Sequence, residues 1–194
     1  MAGALERQVV FALGSNLGDR LGCLQAGVDA LTADRQIRAS AVSGVYETSP
    51  VGGPEQPDYL NAVLIAVSPL PARALLDRSH AAERASGRVR TVRWGPRTLD
   101  IDIITCDAET STDPALTLPH PRAHERAFVL VPWLDADPSA ELPGFGRVAD
   151  LAASVDDGSI RQRDDLSIGL GSRASRSTSG AIADGTAGSA NRGG

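Results

Sequence analysis

Arg88 to Ile103 reads R-V-R-T-V-R-W-G-P-R-T-L-D-I-D-I, which sets Arg88, Arg90, Arg93, Arg97 and the Trp94 indole just ahead of Asp100 and Asp102. If Leu99 to Thr105 forms a strand, its side chains alternate, so Leu99, Ile101 and Ile103 share one face and the two aspartates share the other. Same-face neighbours on a strand stand roughly 7 Å apart, close enough for two carboxylates to hold one divalent cation or bridge a pair. Oxygen-only ligands favour magnesium over zinc or copper. Unpaired carboxylates so close would repel and raise a pKa, but a divalent ion and nearby guanidiniums would keep both ionised. The plainer alternative is an exposed strand face salt-bridged to Arg93 or Arg97. That suits an isolated D-x-D better than one that follows an arginine loop. The expected chemistry is metal-assisted handling of a polyphosphate.

Such a site needs elements to hold it. Gln8 to Leu13 is a short apolar run ending at Gly14, and Leu21, Leu24, Val28 and Leu31 then recur at helical spacing, giving strand, turn, helix. Gly14 and Ser15 stand where a backbone turn can approach a ligand, although a plain strand-to-helix turn would look the same. Ile37 to Tyr46 alternates as a second strand and Asn61 to Val67 forms a third. A helix from Ala72 to Ala85 has Pro71 at its start and Gly87 beyond its end. The fourth strand carries the aspartates. The order βαββαβ matches the α+β ferredoxin-like layout, an antiparallel sheet with helices on one face and the other free for loops. Glu47 to Leu60 and Gly87 to Thr98 are the long loops expected to cover a substrate there. A short helical segment beyond Trp133 and Ala149 to Ala153 are expected to finish the domain, without an assigned packing.

The 194 residues suit one catalytic domain over 7–170, followed by a tail over 171–194 in which 18 of 24 residues are Gly, Ser, Ala or Thr. Such a tail has too little apolar surface to offset its ordering entropy and is expected to be disordered. The net charge of -5 argues against a non-specific nucleic-acid binder. There is no lysine, so all 19 basic residues are arginine and the P-loop signature is excluded. Phosphate must be met by arginine, backbone or metal, and the planar guanidinium fork suits that task. Cys23 and Cys106 give neither zinc spacing nor a disulfide framework, and no apolar run reaches the ~20 residues needed to cross a bilayer. A reduced, cytoplasmic setting with no membrane partner is expected.

Three blocks in order resemble the 6-hydroxymethyl-7,8-dihydropterin pyrophosphokinases. They are A-L-G-S-N-L-G-D-R; Y-E-T-S-P-V-G-G-P-E-Q-P-D-Y-L-N-A-V; and R-W-G-P-R-T-L-D-I-D-I followed by L-P-H-P-R-A-H-E-R-A-F-V-L. The likeness runs over about residues 8 to 137. It implies a ferredoxin-like enzyme of folate biosynthesis, acting as a monomer, that transfers the pyrophosphoryl group of ATP to a pterin hydroxymethyl oxygen with two magnesium ions. By resemblance, Arg88, Arg97, Asp100 and Asp102 are catalytic, and the two aspartates hold metal. Arg90, Trp94, Ile103, His120, Arg126, Glu83 and His80 match the ATP side. Gly14, Thr48, Val51, Tyr59, Asn61 and Phe128 match the pterin side, with Tyr59 and Phe128 as the two stacking rings.

The residues themselves leave other readings open. Phe128 taken alone is ordinary core packing, and Glu83 near Arg84 and Arg88 is a structural helix-end carboxylate. His120 and His124 lie four apart, but a third zinc ligand at fitting spacing is missing. A metal-dependent nucleotidyl transferase would use the same aspartates and release pyrophosphate instead of AMP. An RNA-binding module of the same layout would need exposed sheet aromatics, and Asn61 to Val67 carries none. The chain departs from the family at His80, at Pro121 and in the short arginine loop, where only Thr91 and Val92 separate Arg90 from Arg93.

Overall fold

The first strand, β1 (Arg7–Ser15), is buried at consecutive positions, which a strand sustains only when both faces of its sheet are covered. The structure, a computed structural model that describes residues 6–50, 55–87, 96–155 and 160–170, contains both covers. In chain order β1 is followed by α1 (Arg20–Thr32), β2 (Arg38–Val42), β3 (Tyr46–Thr48), β4 (Tyr59–Ser68), α2 (Ala72–Ala85) and β5 (Asp100–Cys106). There follow β6 (Ser111–Asp113), β7 (Leu116–Leu118), a 3-10 turn at Ala123–Glu125 and α3 (Ala127–Ala136). The last elements are β8 (Glu141–Leu142), β9 (Gly146–Arg147), α4 (Val148–Ser154) and β10 (Arg161–Gln162). The main sheet runs β10-β3-β4-β1-β5 with β2 also on β4, antiparallel at every pairing.

On one face Val9, Phe11, Leu13, Ile101 and Ile103 pack against Leu24, Val28 and Leu31 of α1 and Leu75 and Leu76 of α2. The two crossover helices thus lie together, as the ferredoxin-like layout requires. Asp19 caps α1, its carboxylate accepting from Gly22 N at 2.9 Å. The opposite face is not left to loops alone. Val10, Ala12, Val63, Ile65 and Ile104 pack there against Val129, Leu130 and Trp133 of α3 and Val148 of α4. A register shift between Val10 and Phe11 breaks the alternation past Ile104: Thr105 comes opposite Val10, and Cys106 turns into the helix-side core with Ile101 and Ile103.

The single strand expected over Ile37 to Tyr46 is two strands laid end to end along β4. Ser43 makes the break: its backbone N donates to Val63 O at 2.9 Å, while its hydroxyl accepts from Val63 N at 2.9 Å and donates to Gly44 O at 2.7 Å. A side-chain oxygen here takes the place of a ladder partner, which ends one strand and re-aims the next. Gly44 N then donates to Asp135 Oδ2 of α3 at 2.7 Å. Asp135 also faces the Tyr46 phenol, whose pKa burial and this charge push up to about 12.

The segment after α4 returns to the sheet. β10 pairs with β3, Ile168 joins the core beneath α1 and α2, and Gly169 exchanges two hydrogen bonds with the Gln25 amide at 2.8 Å each. Glu47, 8% exposed, receives Arg20 at 2.9 Å, Arg161 at 2.5 Å and Arg163 at 3.0 Å. The Arg161 hydrogen bond is the main reason that its pKa lies below the ordinary value. A depressed carboxylate pKa stabilises the fold above the ordinary glutamate range and loses that effect as pH falls through the folded value. Glu47→Gln is therefore expected to cost about 1–3 kcal/mol at neutral pH. The gap from wild type should close as pH falls below the ordinary glutamate range and through the depressed folded value. Urea unfolding at neutral and at acid pH checks this, and a gap independent of pH would refute it. The expected tail over 171–194 lies outside the described residues.

Candidate active site

Sheet register brings the expected pterin and metal residues onto one surface. Across β3, β4, β1 and β5, Tyr46 pairs with Asn61, Asn61 with Gly14, and Gly14 with Asp100. One step inward Val63 pairs with Ala12 and Ala12 with Asp102; one step outward Thr48 pairs with Tyr59. Directly opposed residues share a face. Thr48, Tyr59, Asn61, Gly14, Asp100 and Asp102 therefore lie on the face that α3 covers further along, at its uncovered end. Asn61, only 5% exposed, donates from Nδ2 to Thr48 Oγ1 at 2.9 Å. Its Oδ1, so assigned by hydrogen bonding, points over Gly14, where an added Cβ would stand 3.3 Å from it.

The acidic end is lined with positive charge. Arg97 makes an ion pair with Asp100. Burial lowers the Arg97 pKa, but the charge and hydrogen bond of Asp100 outweigh it, and the net shift is upward. Asp102 faces Arg126 Nη1 at 3.4 Å and His120 Nε2 at 3.9 Å. Burial pulls the Arg126 pKa down, partly offset by Asp102, yet a guanidinium keeps its charge at neutral pH. Burial first, then the Arg126 charge, lowers the His120 pKa to about 4, so this imidazole is neutral near pH 7. Its Nδ1 accepts from Arg122 N at 3.2 Å, which leaves the proton on Nε2, the nitrogen turned to Asp102. Phe128 stands in the first turn of α3 with the Arg126 guanidinium 5.4 Å from its ring centroid, a cation–π arrangement.

Glu83 and His80 occupy successive turns of α2. The buried Glu83 carboxylate accepts from Ile101 N at 3.0 Å, on the edge strand between the two aspartates. Ile103 sends its side chain into the helix-side core, so any contact of this residue with a nucleotide falls to its backbone. Val51, Arg88, Arg90, Arg93 and Trp94 lie outside the described residues.

Asn16 was absent from the sequence expectations although it lies inside A-L-G-S-N. It is 1% exposed, and its Nδ2 donates to Gln56 Oε1 at 3.0 Å and Pro57 O at 3.1 Å. Its Oδ1 accepts from Arg97 N at 2.7 Å, and its backbone N donates to Arg97 O at 3.0 Å. The block that contains it was the available signal; its partners, 40 and 81 residues away, were not visible in any local pattern.

Among the described residues no group of three or more His, Cys, Asp or Glu side chains could enclose a metal. Asp100 and Asp102 offer a two-carboxylate edge, and the Asp102 side chain is 40% exposed. That donor set fits magnesium, which binds through one or two carboxylates and completes its shell with water and substrate phosphates. It does not fit a structural zinc centre. Among the described residues no helix is long and apolar enough to cross a membrane.

An antiparallel α+β sheet that ends in an acidic pair faced by guanidiniums defines a class: enzymes that move phosphate groups with cation support. Comparison with known proteins narrows it. Residues 10–138 match the family described as 7,8-dihydro-6-hydroxymethylpterin-pyrophosphokinase (HPPK). The 2-amino-4-hydroxy-6-hydroxymethyldihydropteridine pyrophosphokinase of Mycobacterium tuberculosis is 50% identical over 149 residues, 72% of this chain and 77% of that protein. The enzyme of the same name from Mycobacterium leprae is 52% identical over 151 residues, with the same two shares. The Bacillus subtilis one is 42% identical over 121 residues, 62% of this chain and 72% of that protein. A crystal structure of wild-type Plasmodium falciparum HPPK-DHPS with SDX-DHP superposes with a TM-score of 0.57 at 12% identity, over 79% of this chain and 45% of that one. At that identity the likeness speaks for the fold alone, and this chain spans less than half of the Plasmodium polypeptide. The chain belongs to the 7,8-dihydro-6-hydroxymethylpterin-pyrophosphokinase family.

Proposed function

We propose that this chain transfers the β,γ-pyrophosphoryl group of ATP to the hydroxymethyl oxygen of 6-hydroxymethyl-7,8-dihydropterin, releasing AMP and the pterin diphosphate for folate biosynthesis. The observation that carries this reading is the cross-strand row that sets Asn61 and Gly14 beside Asp100, with Asp102 one step further along the same face. A flat heteroaromatic ring fits the first pair; a charged polyphosphate fits the second.

The pterin lies over Gly14, where the missing side chain permits close approach, with the Asn61 Oδ1 accepting from its ring edge. Tyr59 and Phe128 supply the stacking surfaces, and Thr48 fixes the Asn61 amide so that its acceptor is already aimed. Asp100 and Asp102 would hold two magnesium ions, which when bound would supply charge neutralisation for the phosphates and a lower pKa for the attacking hydroxyl. Arg97 and Arg126 each pair with one of these carboxylates and exchange part of that pairing for phosphate oxygens as ATP enters. By resemblance Arg88, Arg90 and Trp94 belong to the nucleotide side and Val51 to the pterin side. His120, neutral near pH 7, keeps its Nε2 proton and donates to a phosphate oxygen; it is not a general base. Displacement of this kind depends on alignment and charge neutralisation, so no protein base is required.

A monomer in the cytoplasm is the state we infer, and the unbridged thiols Cys23 and Cys106 suit a reducing compartment. Packing of Ile168 into the core supports a catalytic domain over 7–170. In an assay with ATP, magnesium and the hydroxymethyl pterin, AMP should form in step with pterin diphosphate, and chelation of the metal should stop both. ADP or pyrophosphate as the leaving product, or turnover without a divalent cation, would reject the mechanism.

A further inference from the structure

The family match ends at residue 138, yet the chain beyond α4 returns to the sheet beside the pterin side. There β10 adds to the outer edge of β3, with Arg161 opposite Glu47 and Gln162 opposite Tyr46, and Arg163 N donates to Val45 O at 2.8 Å. Glu47 stands between Tyr46 and Thr48, so its side chain leaves the strand by the face opposite to theirs. Its two oxygens are divided. Oε2 takes Arg161 at 2.5 Å and Arg163 at 3.0 Å, both on the returning segment, while Oε1 pairs with Arg20 Nη1 at 2.9 Å, at the start of α1. The same Nη1 donates to the backbone O of Asp58, the residue before Tyr59, at 2.7 Å. A run of charge-assisted contacts therefore joins the C-terminal segment to the backbone that presents the Tyr59 ring.

We propose that residues 160–170 form a strap that sets the pterin wall in place, with Glu47 and Arg20 as the positioning residues through which it acts. The inference rests on the ligand assignment above. β3 is only three residues long and has little hold of its own, yet it carries Thr48, which pairs with Tyr59 and accepts from the Asn61 amide. An outer partner strand and a pinned Asp58 carbonyl order both features before substrate arrives, which removes an ordering cost that binding would otherwise carry. The Glu47 side chain is 10% exposed, so these ionic bonds are screened little by water. Arginine suits the middle post because its head can meet a carboxylate and a carbonyl together and never loses its charge. The other end of the strap supplies the contrast: the Gln25–Gly169 pair ties it to α1, a contact that reaches neither β3 nor Asp58. A segment that served stability alone would act alike from either end.

The experiment compares the full-length wild type with the double variant Arg161→Ala, Arg163→Ala, with Arg20→Ala, with all three substitutions together, and with Gln25→Ala. KM for hydroxymethyl pterin and for ATP, kcat and melting temperature are measured, and amide exchange is followed in the ligand-free proteins. The strap double variant and Arg20→Ala should each raise the pterin KM by about 5- to 10-fold, with the ATP KM and kcat within about 2-fold of wild type. Because both act along one path, the triple variant should lie within about 2-fold of Arg20→Ala. Exchange across β3 and the start of β4 should quicken in all three. Gln25→Ala should leave the pterin KM within about 2-fold, whatever it does to the melting temperature. The Arg20 side chain is partly exposed, at 28%, so its truncation keeps the fold and tests the path even where the strap variant does not fold. The proposal is overturned if the pterin KM is unchanged in Arg20→Ala or in a folded strap variant, or if both KM values rise together. It is equally overturned if Gln25→Ala matches the strap variant, or if the effects multiply in the triple variant. Absence of pterin turnover in wild type would refute the ligand assignment, and exchange across β3 and β4 would then judge the strap by itself, an unchanged rate overturning it.

Discussion

Asp102→Asn is expected to lower kcat by roughly a thousandfold or more while the protein still folds. The size of the effect follows from where the charge sits. Asp102 projects from the uncovered end of a sheet face whose other groups near the phosphate path, Arg97 and Arg126, are cationic. Removing one of two anionic ligands both weakens cation binding and leaves the guanidiniums without the partner that positions them. Asparagine keeps the shape and an acceptor for Arg126, so packing is untouched. A half-exposed ion pair contributes only about 0–1 kcal/mol to stability, so the melting temperature should move by a few degrees at most. Asp100→Asn should be as damaging to turnover, with Arg97 freed from its closest anion. Initial rates of AMP formation across a magnesium titration, set beside thermal melts, test both variants. Turnover within about tenfold of wild type at saturating magnesium would show that the carboxylate is not a metal ligand in the transition state.

How much of this was legible in the sequence depends on the range of the interaction that decides each feature. L-D-I-D-I obeys a period of two, so the common face of Asp100 and Asp102 and the opposite burial of Ile101 and Ile103 could be read locally. The same rule fails just past Ile104, because the irregularity opposite Val10 and Phe11 turns Cys106 into the helix-side core beside Ile101 and Ile103. Nothing in I-D-I-I-T-C marks that position. The break at Ser43 was hidden for a different reason. Serine and glycine inside an alternating run fit an edge strand as well as a turn, and the deciding bond is to Val63, twenty residues on. The segment from Ala127 to Ala136 is apolar nearly all round and contains Pro132, so its periodicity could not say which side it covers. Its docking is set by the Val63 and Ile65 side of β4 and by Asp135 reaching Gly44.

The site divides along the same line. Asn61, Gly14 and Asp100 came from three separate blocks of sequence, and only strand register shows that they form one row. Glu83 was expected beside the nucleotide through resemblance. In the fold its carboxylate also accepts from Ile101 N on the edge strand. Such a bond serves the aspartates on either side of Ile101 by holding the backbone that carries them, a role that no residue spacing would reveal.

The row makes a second strong expectation: Gly14→Val should raise the pterin KM by about a hundredfold or more while ATP affinity changes by less than about threefold. Gly14 lies in extended backbone within β1, where valine is well accommodated, so the backbone imposes no strain and strand propensity improves. The obstacle lies above the sheet. A Cβ alone would stand 3.3 Å from Asn61 Oδ1 and 3.9 Å from Tyr59 Cδ1, and two further methyls would fill the floor between the amide and Asp100. Gly14→Ala adds only the first of these atoms, so an intermediate loss of about tenfold is expected. Because the buried Asn61 must give by a few tenths of an ångström, stability should fall only modestly in both, far less than pterin binding, which separates a blocked site from a damaged fold. Pterin and nucleotide titrations of the two variants, with melting curves alongside, decide the matter. A valine variant with normal pterin affinity would mean that the ring does not lie over this strand, and the roles given to Asn61 and Tyr59 would fall with it.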